Sequence, residues 1–196
     1  MGKHFAFVLI DDFADWEHAR LSAAVRTYFA GRVSFHTPGG QTVTSMGGMR
    51  FVSDHAVENL RPDDYDALAV IGSAGWIEAD APDISGVLRA ADEAGKVVGA
   101  ICAGTLAVGR SGLLDGRRHT SNEPGFLEAK APGYAGGALY VDTPCAVRDG
   151  TLVTAAGSAP VTFAIEMLTA LYPARAEALQ GFKDLCGREF TAPNAL

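Results

Sequence analysis

The sequence predicts an α/β fold: a doubly wound, mostly parallel sheet with helices on both faces and small antiparallel hairpin additions. Three nearly continuous apolar runs, at residues 4–10, 65–71 and 96–101, read as central strands buried on both faces, as parallel strands are. Helical patterns alternate with these runs, which favours strand–helix–strand crossovers over separate layers. The third run passes through Cys102 straight into an alanine-rich helical pattern. Gly99, Ala100, Ala103 and Gly104 crowd that junction, as a sharp strand-to-helix turn requires where backbones approach closely.

In chain order, the first strand ends at Asp11-Asp12, and residues 15–29 show helical spacing through Trp16, Ala19, Ala23 and Val25, stopped by Gly31. Asp12 and Asp15 are placed to cap this helix. A second strand spans 32–37, and a polar, β-prone segment over 41–52 turns at Gly47-Gly48 as a hairpin. The run at 65–71 opens into the small-residue loop Gly72-Ser-Ala-Gly-Trp76, and a helix over 84–94 stops at Gly95. Beyond the Cys102 junction, 117–122 is extended and 123–137 is irregular chain with one helical turn. Two β-prone runs, 138–147 and 151–155, flank a turn at Arg148-Asp149-Gly150. Ser158 is placed to cap a helix with Pro160 in its first turn and an apolar face from Phe163 to Leu171. Pro173 ends it. An amphipathic stretch covers 174–185, and the tail beyond Gly187 reads as loose.

The 196 residues, 48% hydrophobic and 20% charged, suit one soluble domain over 1–196 with its core at about 3–186. A net charge of −7 argues against a nucleic-acid partner. No apolar run reaches the length of a bilayer span, and the N-terminus lacks a signal-peptide pattern, so no membrane partner and a cytoplasmic location are expected. The three cysteines are scattered, with no CxxC pair. Neither a disulfide framework nor a metal site is expected, and no cofactor.

In an open parallel sheet, ligands gather outside the carboxyl ends of the strands. Segments 11–17, 72–76 and 102–103 reach that edge. Cys102 on its turn projects above the sheet, where the first amides of the following helix favour a thiolate. Glu17, one turn into its helix, turns inward toward the sulfur. A carboxyl beside a thiolate has a raised pKa and acts as a neutral donor to sulfur. The amides of Ser73 and Ala103 are candidates for an oxyanion hole. Among the histidines, His4 and His36 read as structural and His18 and His55 as exposed. His119, downstream on a returning segment, is a candidate base for Cys102.

The order Phe13-Ala-Asp-Trp-Glu17, Tyr65-Asp-Ala-Leu-Ala-Val-Ile-Gly-Ser73, Ala100-Ile-Cys-Ala-Gly-Thr105, Asp115-Gly-Arg-Arg-His-Thr-Ser-Asn122 and Thr154-Ala-Ala-Gly-Ser-Ala-Pro160 resembles the ThiJ/PfpI (DJ-one/PfpI) superfamily. This is a branch of the class I glutamine amidotransferase-like, flavodoxin-like fold. The resemblance covers nearly the whole chain and implies that Cys102 is the reactive cysteine, Glu17 its partner, and the assembly a homodimer. Three positions depart from the pattern. Ala103 stands where protease-type members have histidine after the cysteine. Asn122 falls where other members place a histidine, and asparagine takes up no proton. Ile71-Gly-Ser replaces Pro-Gly-Gly. With Asn122 in that register, His119 lies on the opposite face of an extended segment.

These features favour chemistry on a small electrophilic substrate, glyoxalase- or deglycase-like, with Cys102 as nucleophile and Glu17 as proton carrier. An amidase, peptidase or glutamine amidotransferase-like hydrolase is the alternative enzyme. A protein that senses oxidants through Cys102, or a binding module without turnover, is the alternative outside catalysis.

Overall fold

The computed structural model describes residues 2–53 and 55–191, with side chains through Arg188. The strands are β1 (His4–Val8), β2 (Arg32–His36), β3 (Val43–Thr44), β4 (Arg50–Phe51), β5 (Ala67–Val70), β6 (Val97–Ile101), β7 (Val147–Asp149) and β8 (Leu152–Ala155). The α-helices are α1 (Asp15–Thr27), α2 (Ser85–Glu93), α3 (Thr105–Arg110), α4 (Phe126–Lys130), α5 (Pro160–Leu171) and α6 (Ala176–Thr191).

Six strands form one sheet in the order β2-β1-β5-β6-β8-β7, and β3 pairs with β4 in a separate two-stranded hairpin. Every pairing in the large sheet is parallel except β7 with β8. The chain steps from β1 outward to β2, then returns to the other side of β1 for β5. Strand order therefore reverses between β1 and β5, where loops leaving neighbouring strands diverge and open a crevice.

Side chains alternate across the sheet. Phe5 and Phe7 pack with Leu21, Val25, Phe163 and Met167 of α1 and α5 on one face, while Ala6 and Val8 pack with Leu68, Val70, Leu88 and Leu106 on the other. Both faces are covered, so the strands are apolar throughout, as their sequence predicts. Phe5, Phe7, Leu68 and Val70 are all fully buried. Among the described residues, no helix is long and apolar enough to cross a membrane.

Several expectations are corrected. The buried side of α1 carries Glu17, Leu21, Ala24 and Val25, whereas Trp16, Ala19 and Ala23 face outward. Glu17 is fully buried, as its expected inward turn requires, and the buried stripe follows it rather than Trp16. Neither Asp12 nor Asp15 caps α1, whose N-cap is Ala14 with no side-chain bond; Asp15 instead accepts the Gly47 N–H of the hairpin at 2.8 Å. Residues 138–146 form no strand, and Pro144 within them lacks an N–H to donate. The β7–β8 turn accordingly centres on Gly150, at φ 61°, one residue later than expected. Ser158 does not cap α5, because a turn closed by Ala159 N–H to Ala156 O at 2.9 Å makes Ala159 the N-cap. The tail past Gly187 continues α6 to Thr191, and the remainder lies outside the described residues.

Gly104 shows how tightly the β6–α3 junction sits on the sheet. A Cβ there would lie 2.7 Å from the Val70 carbonyl oxygen, a contact with backbone that has no freedom to yield. Gly104→Ala is therefore expected to lower stability by about 1–3 kcal/mol, read as a fall in melting temperature relative to Gly116→Ala, where a Cβ meets open space.

Candidate active site

Cys102 follows β6 directly, at φ 57°. This left-handed conformation costs a non-glycine residue about 1–3 kcal/mol and persists only where the surroundings fix it. The fixing contacts are local. Thr105 Oγ1 donates to the Cys102 carbonyl at 2.6 Å and lies 2.6 Å from Ser121 Oγ, which joins the turn to the segment carrying Asn122. That segment is joined in turn to β8, since Thr120 N–H donates to Thr154 Oγ1 at 2.8 Å.

Glu17 reaches the same space from α1. Its Oε2 accepts the Gly72 N–H at 2.7 Å, a bond across the crevice between the loops after β1 and β5. Its Oε1 makes no hydrogen bond of ordinary geometry and faces the cysteine side. Two glycines clear the room. A Cβ on Gly72 would lie 2.6 Å from both Cys102 Cβ and Glu17 Oε2, and one on Gly157 would lie 2.9 Å from Cys102 Sγ and 3.1 Å from Glu17 Oε1. Carboxyl and thiol are therefore packed between two backbones with no side chain separating them.

Electrostatics follow from that enclosure. Burial pushes the Glu17 pKa up to about 7, against the opposing pull of the Gly72 N–H and the Cys102 thiol. Burial, then the neighbouring carboxylate charge, raise Cys102, while the Asn122 amide and the Ala103 N–H pull it down. The sequence expectation of a thiolate favoured by helix amides and a neighbouring neutral acid is corrected accordingly. Desolvation outweighs those donors, and an ionised Glu17 raises the thiol pKa further. The two groups form a coupled pair that releases its first proton as a unit.

Asn122, not His119, meets the sulfur. Its Nδ2 donates to Cys102 Sγ at 3.4 Å, and its Oδ1 accepts the Gly157 N–H at 3.0 Å. His119 is fully buried with its ring directed elsewhere. Nδ1 lies 2.7 Å from the Arg117 carbonyl and Nε2 lies 2.6 Å from Tyr134 Oη, between the edges of Tyr134 and Tyr140. The extended run expected at 117–122 is no strand: His119 makes an isolated bridge to Tyr140, and the chain bends at Asn122. His18 is not a free surface residue: its ring packs between Phe13 and Phe35. The Ala103 N–H is directed at the sulfur, whereas the Ser73 hydroxyl donates to the Asp11 carbonyl at 2.6 Å and accepts from Gly75 N–H, shaping its own loop.

The residues that sequence reading passed over are Gly72, Gly157 and Trp16. Gly157 lies in the quoted Thr154–Pro160 motif, but only the fold brings it onto the sulfur. Trp16 Nε1 donates to the Gly157 carbonyl at 3.0 Å. Among the described residues, no group of three or more His, Cys, Asp or Glu side chains is arranged to hold a metal ion. Cys102, Cys145 and Cys186 are all free thiols.

An open parallel sheet with a cysteine on a strained strand–helix turn, and a buried carboxylic acid against it, defines a cysteine-centred member of the glutamine amidotransferase-like folds. The chain belongs to the DJ-1/PfpI family, whose model matches residues 3–170. It is 32% identical over 165 residues to the uncharacterized protease YoaZ of Bacillus subtilis, covering 81% of this chain and 78% of that protein. The DJ-1 superfamily protein Atu0886 of Agrobacterium tumefaciens superposes with a TM-score of 0.85 at 40% identity, over 94% of this chain and 99% of that one. A thiJ/pfpI family protein of Bacillus anthracis gives 0.84 at 29% identity, over 96% and 93%.

Glu17 makes the fold sensitive to pH in a definite direction. Its native pKa of about 7 lies above the unfolded value of about 4.3, so its contribution is fully present below the unfolded pKa and is lost as pH rises through the native one. Glu17→Gln removes that loss and keeps an oxygen for Gly72 N–H. The variant is expected to be more stable than the parent above pH 7, by up to roughly 4 kcal/mol, with the difference shrinking toward pH 5. Denaturant unfolding at both pH values measures it, and an equal difference at the two would refute it.

Proposed function

We propose that this protein is a cysteine-dependent enzyme acting on small reactive carbonyl compounds, with Cys102 as nucleophile and Glu17 as the one proton carrier. The observation that carries the proposal is the buried Glu17–Cys102 pair, a nucleophile and a neutral acid sharing one desolvated space. A 2-oxoaldehyde needs little more. The Cys102 sulfur attacks the aldehyde carbon, the carbonyl electron pair moves to oxygen, and Glu17 supplies the proton, leaving a thiohemiacetal. Glu17, now a carboxylate, takes the proton from that same carbon to give an enediolate and returns it to the adjacent carbon, while the hydroxyl proton on the first carbon passes to the oxygen on the second, leaving a thioester. Water hydrolyses the thioester to a 2-hydroxy acid and frees the thiol. The Ala103 N–H and the Asn122 amide lie where they support negative charge at the sulfur or an oxygen beside it, and the Ser73 amide is the further oxyanion donor we assign.

Peptidase and amidase chemistry fit less well, although two relatives carry protease names. Expelling an amine requires a strong acid–base partner such as histidine. His119 is engaged by Arg117 and Tyr134, and residue 103 is alanine. Oxidant sensing is the second reading, since the donors around the sulfur would equally support a sulfenate or sulfinate.

Purified protein incubated with methylglyoxal, without added thiol, is expected to form lactate catalytically. Cys102→Ala should abolish this, and Glu17→Gln should reduce it by about 100-fold or more. Oxidation of Cys102 by peroxide in stoichiometric amount, with no turnover of methylglyoxal or glyoxal, would instead favour the sensor.

A further inference from the structure

Trp16 stands outside the reacting pair. Its side chain is 51% exposed, and its hydrogen bond to the Gly157 carbonyl is the start of a directed series. Trp16 Nε1 donates to Gly157 O at 3.0 Å, Gly157 N–H donates to Asn122 Oδ1 at 3.0 Å, and Asn122 Nδ2 donates to Cys102 Sγ at 3.4 Å. Each link has one possible polarity, because indole and backbone N–H groups only donate and a carbonyl only accepts. The side-chain amide of Asn122, ambiguous by shape alone, is therefore fixed with its oxygen on Gly157 and its NH2 on the sulfur.

Gly157 is the hinge of this series. It sits in the turn between β8 and α5, and both of its backbone polar groups bind side chains. Its position is set by those two bonds and by the wall it forms against Cys102, where a Cβ would come within 2.9 Å of Sγ. A shift of a few tenths of an ångström at Gly157 moves both a wall of the site and the N–H that orients the Asn122 amide.

We propose that Trp16 is a positioning residue for Cys102. Its indole N–H anchors the Gly157 turn, so that Asn122 is presented to the sulfur as a fixed donor. Asparagine brings no base with it. The series stabilises charge on sulfur, and Glu17 alone moves the proton. The inference rests on Cys102 being the reactive group and is independent of which substrate it meets.

The test is the pH dependence of Cys102 alkylation by iodoacetamide, followed by mass spectrometry on the Cys102 peptide so that Cys145 and Cys186 do not contribute. Trp16→Phe keeps an aromatic ring on the outer face of α1 and removes the indole N–H together with its five-membered ring. At pH 7 Asn122→Ala is expected to slow alkylation by about fivefold or more and to displace the profile to higher pH, with Trp16→Phe acting in the same direction by about two- to fivefold. The double variant should be no slower than Asn122→Ala, since both act through one donor. A Trp16→Phe profile that coincides with the parent, or effects that multiply in the double variant, would overturn the proposal. Melting curves establish that the rates compare folded proteins. Because alkylation uses no carbonyl substrate, failure of methylglyoxal turnover leaves this result standing, and the reverse also holds.

Discussion

A carboxylic acid and a thiol confined in one dry space cannot both ionise, and that constraint organises the site. Glu17 is fully buried with one direct donor, the Gly72 N–H, which is too little to offset the loss of water around a carboxylate. It therefore keeps its proton to about pH 7, and its neighbour ionises most readily while it does so. The surrounding features serve this arrangement. Glycine at 72 and 157 leaves the room, the positive φ at Cys102 lifts the sulfur off the strand, and Asn122 adds a donor without a competing base.

The sheet supplies the geometry. Because strand order reverses between β1 and β5, the loops after these strands part, and the first turn of α1 drops its inner face into the gap. Glu17 occupies that face and spans the gap to Gly72. The β6–α3 turn stands alongside, pressed close because Gly104 lies on the Val70 carbonyl. The chain belongs to the DJ-1/PfpI family, and its residues flanking the sulfur include Ala103 and Asn122. Both lie beside the sulfur and neither carries a proton, so acid–base work there falls to the one carboxyl.

Much of this was legible before any coordinates. Continuous apolar runs marked the buried parallel strands, and small residues on both sides of Cys102 marked its turn. The rest depended on neighbours that sequence does not supply. The α1 stripe was read through Trp16, Ala19 and Ala23, which are exposed, because apolar character alone does not tell an outer face from an inner one. The donor–base question at positions 119 and 122 was decided by tertiary contacts, since His119 is engaged by Arg117 and Tyr134 while Asn122 is held by Gly157 beside the sulfur. Gly157 and Gly72 gave no sign of their purpose, because a glycine reports a close approach without naming what approaches. Ser158 and the run at 138–146 showed adequate local propensity that their tertiary setting overrode.

The central claim is that Glu17 holds a proton that an ordinary glutamate would have lost. Carbon NMR of the Glu17 side-chain carboxyl, assigned by difference from Glu17→Gln and followed across pH, measures this directly. The account predicts a midpoint near 7 that shifts when Cys102 is replaced by serine. A midpoint in the usual carboxylate range, unmoved by that replacement, would contradict it.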